Sequence, residues 1–168
     1  FVMGDNVWRE EEEWPLARAR PTDYYLHSRG KANSLNGNGV LSTEPPGEEP
    51  ADVFLYNPAD PVPTRGGPLC CNPYFVAGGA FEQSGIEARE DVLVYTTAPL
   101  EREVEVTGPV TVTLWAATSA ADTDFTAKLV DVCEDGCARN LTDGIIRARY
   151  RDSVSSPSLL EPGKAYAY

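Results

Sequence analysis

The serines and the single histidine are the residues that could support nucleophilic catalysis, so their surroundings decide whether this chain could work as a serine hydrolase. The nucleophile of an α/β-hydrolase stands on a sharp strand-to-helix turn written G-x-S-x-G, because only small flanking residues tolerate that backbone. No such turn occurs: Ser84 has Glu82 two residues before it, and Ser28 directly follows His27. His27 ends a predicted strand, which favours a packed or rim histidine over a general base. The sequence therefore predicts no catalytic residues.

Paired carboxylates could instead carry out glycoside hydrolysis, which needs two carboxyl groups at a defined separation. The candidates are Glu87, Glu90, Asp91, Asp122 and Asp124. Any acidic protein offers such pairs, and Asp122 and Asp124 fall between two predicted strands, where aspartates commonly accept hydrogen bonds from turn amides. There is no spaced D-x-D-x-D-G calcium loop, and the glycines of residues 36–39 lack the Lys-Ser/Thr of a phosphate-binding loop. We therefore expect structural roles, with no metal and no cofactor.

The four cysteines fall into two close pairs. Cys70 and Cys71 are adjacent, and a bond between neighbours would close a strained ring, so two thiols are expected there. Cys133 and Cys137 flank the turn sequence Glu134-Asp135-Gly136 and could face each other across a hairpin, where thiols or a disulfide would fit. Neither spacing is the C-x2-C that is familiar from zinc sites.

Composition places the chain among folded globular domains. Its 168 residues are 42% hydrophobic and 24% charged, which fits one domain with a core of its own. The net charge of −12 would repel phosphate groups, so nucleic acid and anionic membranes are not expected partners. No window has the roughly 18 apolar residues of a membrane helix. The chain does not begin with Met, so we expect a piece of a longer protein and leave localisation open; the glycosylation triplet Asn140-Leu141-Thr142 would matter only on a eukaryotic secretory route.

Short alternating segments separated by glycine and proline indicate an all-β fold. In the clearest segment, residues 109–116, Val110, Val112 and Leu114 share one face. Further strands are predicted over residues 23–27, 53–56, 92–96, 103–106, 125–132, 145–151 and 165–168. Surface loops are predicted over residues 33–39, 42–52 and 66–88. Many short strands joined by turns favour a jelly-roll β-sandwich, in a single domain over residues 1–168.

An ordered set of motifs then points to a family. The motifs are Phe1-Val2-Met3-Gly4, Trp8-Arg9, Trp14-Pro15, Tyr25-Leu26, residues 56–63, Gly66-Gly67, residues 89–93, residues 106–109, residues 122–132, Asp143-Gly144-Ile145 and residues 147–151. In this order, and over nearly the whole chain, they resemble the C-terminal domain of the cocaine esterase, X-Pro dipeptidyl-peptidase and α-amino-acid ester hydrolase group. The run over residues 122–132 is the most specific.

The resemblance implies a galactose-binding-like jelly roll attached to an α/β-hydrolase domain and a helical cap. The Ser, Asp and His of that family's triad lie in the α/β domain. The jelly roll packs against the other two domains and helps shape the substrate groove of an ester or amide hydrolase. In the resembling esterases the loop after the double glycine reaches toward the acyl pocket. The matching positions are Leu69, Cys70, Cys71 and Asn72, with simple packing against the catalytic domain as the alternative.

Two departures from the family pattern and one rival function complete the expectations. The family domain continues past residues 165–168 into a further strand pair, so we expect an open sheet edge that either self-associates or is covered by more chain. Cys70-Cys71 stands where relatives can carry bulkier apolar residues, which leaves the acyl preference undetermined. The rival function is a free-standing carbohydrate-binding module, for which Trp8, Trp14 and Trp115 would have to form stacking platforms.

Overall fold

Antiparallel strand pairs dominate the computed structural model, which describes residues 1–69, 74 and 77–168. The strands are β1 Tyr25–His27, β2 Val40–Ser42, β3 Trp115–Ala116, β4 Asp124–Val132, β5 Ala138–Arg147 and β6 Tyr166–Ala167. A short helix, α1, covers Ser84–Glu87, and a 3-10 turn covers Ala148–Tyr150. The pairs are β1 with β2, β3 with β6, and β4 with β5, all antiparallel.

The β4–β5 hairpin is the largest element. Its register begins with Asp124 opposite Arg147 and shifts between Leu129 and Val130, so that Leu141 is an extra residue on β5. Such a bulge re-aims the side chains on either side of it. β4 alternates with period two, and Phe125, Ala127 and Leu129 share its less exposed face.

Residues outside the named strands extend the two smaller pairs. Leu114 and Tyr168 exchange backbone hydrogen bonds of 2.8 Å beside β3 and β6, and the Tyr168 ring lies 4.8 Å from that of Phe125 on β4. Residues 92–96 run along the segment before β2, where the Val94 amide donates to the Ala32 carbonyl at 2.9 Å. These contacts connect the small pairs to their neighbours.

The all-β prediction is confirmed, and the jelly-roll arrangement stays a prediction. The strands predicted over residues 23–27, 125–132 and 165–168 correspond to β1, β4 and β6. The strand predicted over 145–151 was wrong in its bounds, because β5 ends at Arg147 and a 3-10 turn follows. Residues 53–56, 92–96, 103–106 and most of 109–116 form no regular strand with another described segment, and α1 lies inside the predicted loop 66–88. Alternation predicts which face of a segment is apolar, but a strand also needs a partner.

Few apolar side chains are buried among the described residues. The buried hydrophobic residues are Leu16, Ala32, Ala138, Ala148 and Leu160. The accessible surface is 12750 Å², whereas a compact monomer of 18.3 kDa exposes about 8,000 Å². Many large apolar side chains are exposed in residues 53–56 and 104–112, which we call the exposed apolar segments. Within the described ranges, no helix has the length and apolar character needed to cross a membrane.

Candidate functional site

The predicted substrate-contacting positions lie just after the double glycine Gly66-Gly67. Three of them fall outside the described residues: Cys70, Cys71 and Asn72. Leu69 is described, and its side chain is 43% exposed. Its carbonyl oxygen lies close to Gly78, where an added Cβ would stand 2.2 Å from that oxygen. Leu69 thus lies where the chain that follows Gly67 approaches the chain that precedes Gly79. Its side chain remains partly exposed.

Three glycines, Gly66, Gly67 and Gly79, join the two arms of this loop, and we call them the glycine neck. The Gly67 amide donates to the Gly79 carbonyl and the Gly79 amide to the Gly67 carbonyl, both at 2.9 Å. The φ values of Gly66, Gly67 and Gly79 are +71°, +94° and +116°, in the region that favours glycine. A Cβ at Gly66 would also lie 2.4 Å from the Gly79 carbonyl oxygen. The neck therefore holds Gly66 and Gly67 against Gly79 at a separation that side chains would prevent.

Two buried amide side chains, Gln83 and Asn140, hold the neck. They are 1% and 2% exposed, the largest fully buried side chains of the described residues. Gln83 Nε2 is 2.9 Å from the carbonyls of Arg65 and Phe81 and 3.0 Å from Asn140 Oδ1. Asn140 Oδ1 also accepts from the Phe81 amide at 2.8 Å, and Asn140 Nδ2 donates to the Gly79 carbonyl at 3.2 Å. Buried polar groups are costly unless they are paired, so these bonds favour one arrangement of the neck.

Local backbone structure places both amides. The Gln83 amide donates to the Ala138 carbonyl at 2.7 Å, and the Asn140 amide donates to the Phe81 carbonyl at 3.3 Å, so residues 81–83 run beside the start of β5. Gln83 is the N-cap residue of α1, which turns the chain away from β5 directly afterwards. The bulge at Leu141 immediately follows Asn140.

Charged groups surround this cluster without forming a catalytic set. Lys128 Nζ donates to Gln83 Oε1 at 3.0 Å. The Ser84 hydroxyl donates to the Glu82 carboxylate, and this hydrogen bond is the main cause of the lowered pKa of Glu82. Partial burial raises the pKa of Glu87. Ser84 thus caps a turn through a neighbouring carboxylate, which is not an arrangement that activates a nucleophile.

Asp122 and Asp124 are bound by arginines. Asp122 accepts from the backbone amide of Arg149 at 3.0 Å and from its Nε at 2.6 Å. Asp124 accepts from Arg147 Nε at 2.8 Å, and this hydrogen bond lowers the pKa of the Asp124 carboxyl. Both carboxylates hold the end of β5 and the following turn to the start of β4, which agrees with the structural role expected from the sequence.

His27 links β1 to the segment before residue 50. Its Nδ1 lies 2.7 Å from Glu49 Oε1 and its Nε2 lies 2.9 Å from the Glu44 carbonyl oxygen. The Glu49 hydrogen bond is the largest cause of the raised pKa of His27, and the Glu44 carbonyl adds to it. Because both ring nitrogens face acceptors, the protonated imidazole satisfies the site best. These contacts connect β1 to residues 44–49, which is a structural role.

Cys133 and Cys137 face each other across the turn between β4 and β5. The Cys133 amide donates to the Cys137 carbonyl at 2.9 Å, and Gly136 takes the positive φ that the turn requires. Both thiols are free. Across the ranges that the structure covers, no group of three or more His, Cys, Asp or Glu side chains is placed to hold a metal ion.

Sequence reasoning missed Gln83 and Asn140. Gln83 precedes the serine considered as a nucleophile, and Asn140 heads a glycosylation triplet whose side chain is buried and bonded to Gly79. A weak signal was present in the two double glycines, Gly66-Gly67 and Gly78-Gly79, because paired glycines mark a close backbone approach. Nothing in the sequence links either amide to that neck.

Comparison with known proteins assigns this arrangement to a family. The chain is 50% identical over 168 residues to cocaine esterase of Rhodococcus sp. (strain MB1 Bresler), a match that covers 99% of this chain and 29% of the esterase. The crystal structure of an aminopeptidase from the marine sediment archaeon Thaumarchaeota archaeon matches with a TM-score of 0.76 and 29% identity, over 99% of this chain and 28% of the aminopeptidase. The chain thus spans less than a third of the length of either relative. Residues 1–167 match the family described as X-Pro dipeptidyl-peptidase C-terminal non-catalytic domain, and the chain belongs to that family.

Proposed function

We propose that this chain is the accessory β-domain of a serine hydrolase that cleaves ester or amide bonds, and that residues 1–168 form one domain of it. The chain belongs to a non-catalytic domain family, and its relatives include a cocaine esterase and an aminopeptidase. Both observations support an accessory role beside a separate catalytic domain. A carbohydrate-binding module is not favoured, because the relatives are hydrolases.

The exposed apolar segments are the reason for proposing that the α/β-hydrolase and cap domains pack against this β-domain. Leu55 is 84% exposed, Val53 76% and Val106 63%. Monomeric soluble proteins rarely leave large apolar patches uncovered, and domains within one chain commonly bury about 600–1,500 Å² between them. Self-association through an open strand edge is the competing way to cover this surface.

The substrate groove is the second part of the proposal. The loop closed by the glycine neck begins with the half-exposed Leu69 and continues through Cys70, Cys71 and Asn72. We propose that these positions contact the acyl group of the substrate. The support is the family resemblance, together with a neck that holds the base of the loop in one geometry.

Hydrogen exchange tests the packing. We expect peptides covering residues 53–56 and 104–112 to exchange more slowly in the full-length protein than in the isolated chain at low concentration. Peptides covering the exposed acidic residues 10–13 serve as the control and should exchange equally in both. Equal exchange of the apolar segments would contradict the proposal, and slowing that appears only as the isolated chain is concentrated would favour self-association.

Activity measurements test the groove. The isolated chain should hydrolyse no activated aryl ester, because it contains no nucleophile elbow. In the full-length enzyme, Cys70→Phe should change the ratio of kcat/KM values between small and bulky acyl groups by an amount equivalent to about 1–3 kcal/mol. Unchanged ratios across a panel of acyl chains would assign the loop to packing.

A further inference from the structure

Cys133 and Cys137 form the closing pair of the turn that joins β4 to β5. The Cys133 amide donates to the Cys137 carbonyl at 2.9 Å, and the Gly136 amide donates to the Cys133 carbonyl at 2.9 Å. The two cysteines therefore lie opposite each other, just beyond the last strand pair, Val132 with Ala138. Residues that lie opposite each other in an antiparallel pair project their side chains to the same face. The two thiols thus lie on one face of the hairpin.

The backbone spacing of this cysteine pair fits a disulfide bond. The Cα atoms of a hydrogen-bonded antiparallel pair are about 5.5 Å apart, and disulfides join Cα atoms that are about 4.4–6.8 Å apart. Gly136 has a φ of +83°, and the Asp135 carboxylate accepts from the Cys137 amide at 3.1 Å, so local contacts hold the turn in this conformation. Closing a disulfide here requires no rearrangement of the hairpin backbone.

Both thiols can be reached from solvent, and one of them has a basic neighbour. Cys133 is exposed and Cys137 is partly buried. Interaction with the Cys137 thiol is the main cause of the raised pKa of Arg139, which places this guanidinium near that sulfur. A neighbouring cation favours the thiolate, which is the reactive form of cysteine. The pKa of Cys133 is raised, first by desolvation and then by the Cys137 thiol. These surroundings assign the first attack on an oxidant to Cys137.

We propose that Cys133 and Cys137 are a modification site, at which a small-molecule disulfide such as oxidised glutathione forms an intramolecular disulfide that closes the β4–β5 turn. The Cys137 thiolate attacks one sulfur of the small disulfide, whose S–S bond breaks, and the released thiolate takes up a proton. The Cys133 thiolate then attacks the Cys137 sulfur of the mixed disulfide and releases the second small thiol. Two protein S–H bonds are replaced by one S–S bond, and the two electrons and two protons reduce the small disulfide to two thiols.

Equilibration of the full-length protein in glutathione redox buffers tests the proposal. Free thiols are blocked with N-ethylmaleimide, and trypsin cleavage after Lys128 and Arg139 then gives a peptide, residues 129–139, whose only cysteines are Cys133 and Cys137. The mass of this peptide gives the equilibrium constant for disulfide formation, in buffer and in denaturing urea. Because the native hairpin already holds the two thiols together, we expect this constant to be about tenfold larger in buffer. By linkage, tenfold corresponds to about 1.4 kcal/mol of added stability.

The matched control is the double variant Val132→Cys with Cys133→Ala. It keeps two thiols beside the turn but places one on the opposite face, because successive strand residues point to opposite faces. Val132 is 51% exposed, so its side chain can be exchanged without opening a core. We expect the control to have no larger a constant in buffer than in urea, and an increase equal to the parent's would contradict the proposal. Equal constants for the parent in buffer and urea, or glutathione adducts in place of the internal disulfide, would overturn it even if the control does not fold.

Discussion

The glycine neck and the exposed apolar segments differ in which kind of side chain they bury. At the neck, polar side chains are buried and hydrogen-bonded, whereas in residues 53–56 and 104–112 apolar side chains face outward. The chain therefore supplies the geometry of its loop base from its own residues. Among the described residues, by contrast, many large apolar side chains stay exposed. The geometry of the loop base and the burial of apolar surface therefore depend on different parts of the chain.

Gly66→Ala should disrupt the neck most strongly. The alanine would have to keep the positive φ of Gly66, and its Cβ would lie 2.4 Å from the Gly79 carbonyl oxygen. We expect the free energy of unfolding of the full-length protein to fall by about 2–4 kcal/mol, measured by denaturant titration. Gly47→Ala is the control, since a Cβ there meets nothing within 4 Å, and it should change stability by less than about 0.5 kcal/mol. Equal effects of the two substitutions would remove the steric argument for the neck.

Leu55→Asp tests whether the exposed apolar segments are covered in the full-length protein. Leu55 is 84% exposed and Val154 91% exposed, so packing within this chain predicts equally small effects for Leu55→Asp and Val154→Asp. If other domains cover the apolar segments, Leu55→Asp should cost the full-length protein about 1–3 kcal/mol and Val154→Asp less than about 0.5 kcal/mol. The denaturation midpoints of both variants decide between the two outcomes.

The smallest effect on stability is expected from the contact between His27 and Glu49, which lies outside the glycine neck and the exposed apolar segments. The pKa of His27 is raised above 6.5, so its contribution to stability is complete below that value and is lost as pH rises through the folded-state pKa. The pKa of Glu49 is lowered from 4.5, so its contribution is present above that value and is lost as pH falls through the folded-state pKa. The thermal midpoint of His27→Gln should lie furthest below that of the parent protein at about pH 6 and approach it at about pH 9. Parallel pH profiles would show that His27 and Glu49 are not coupled.

Sequence reasoning succeeded where a local pattern was sufficient. The alternation of residues 125–132 predicted β4 because its partner β5 lies one turn further along the chain. It failed for residues 53–56 and 103–106, where apolar alternation is present but no described strand pairs with them. The family was identified from ordered motifs. The buried amides were not found, because Gln83 and Asn140 are brought together only by the pairing of residues 81–83 with β5.

The glycine neck also has an evolutionary consequence. Its reciprocal bonds join Gly67 to Gly79 through main-chain atoms alone. The entropic cost of closing a loop rises slowly with its length, by about 0.6 kcal/mol for each doubling. Mutations, insertions or a grafted segment between residues 68 and 78 can therefore accumulate while β5 and the buried amides stay intact. The neck thus separates the sequence requirements of the surrounding scaffold from those of residues 68–78.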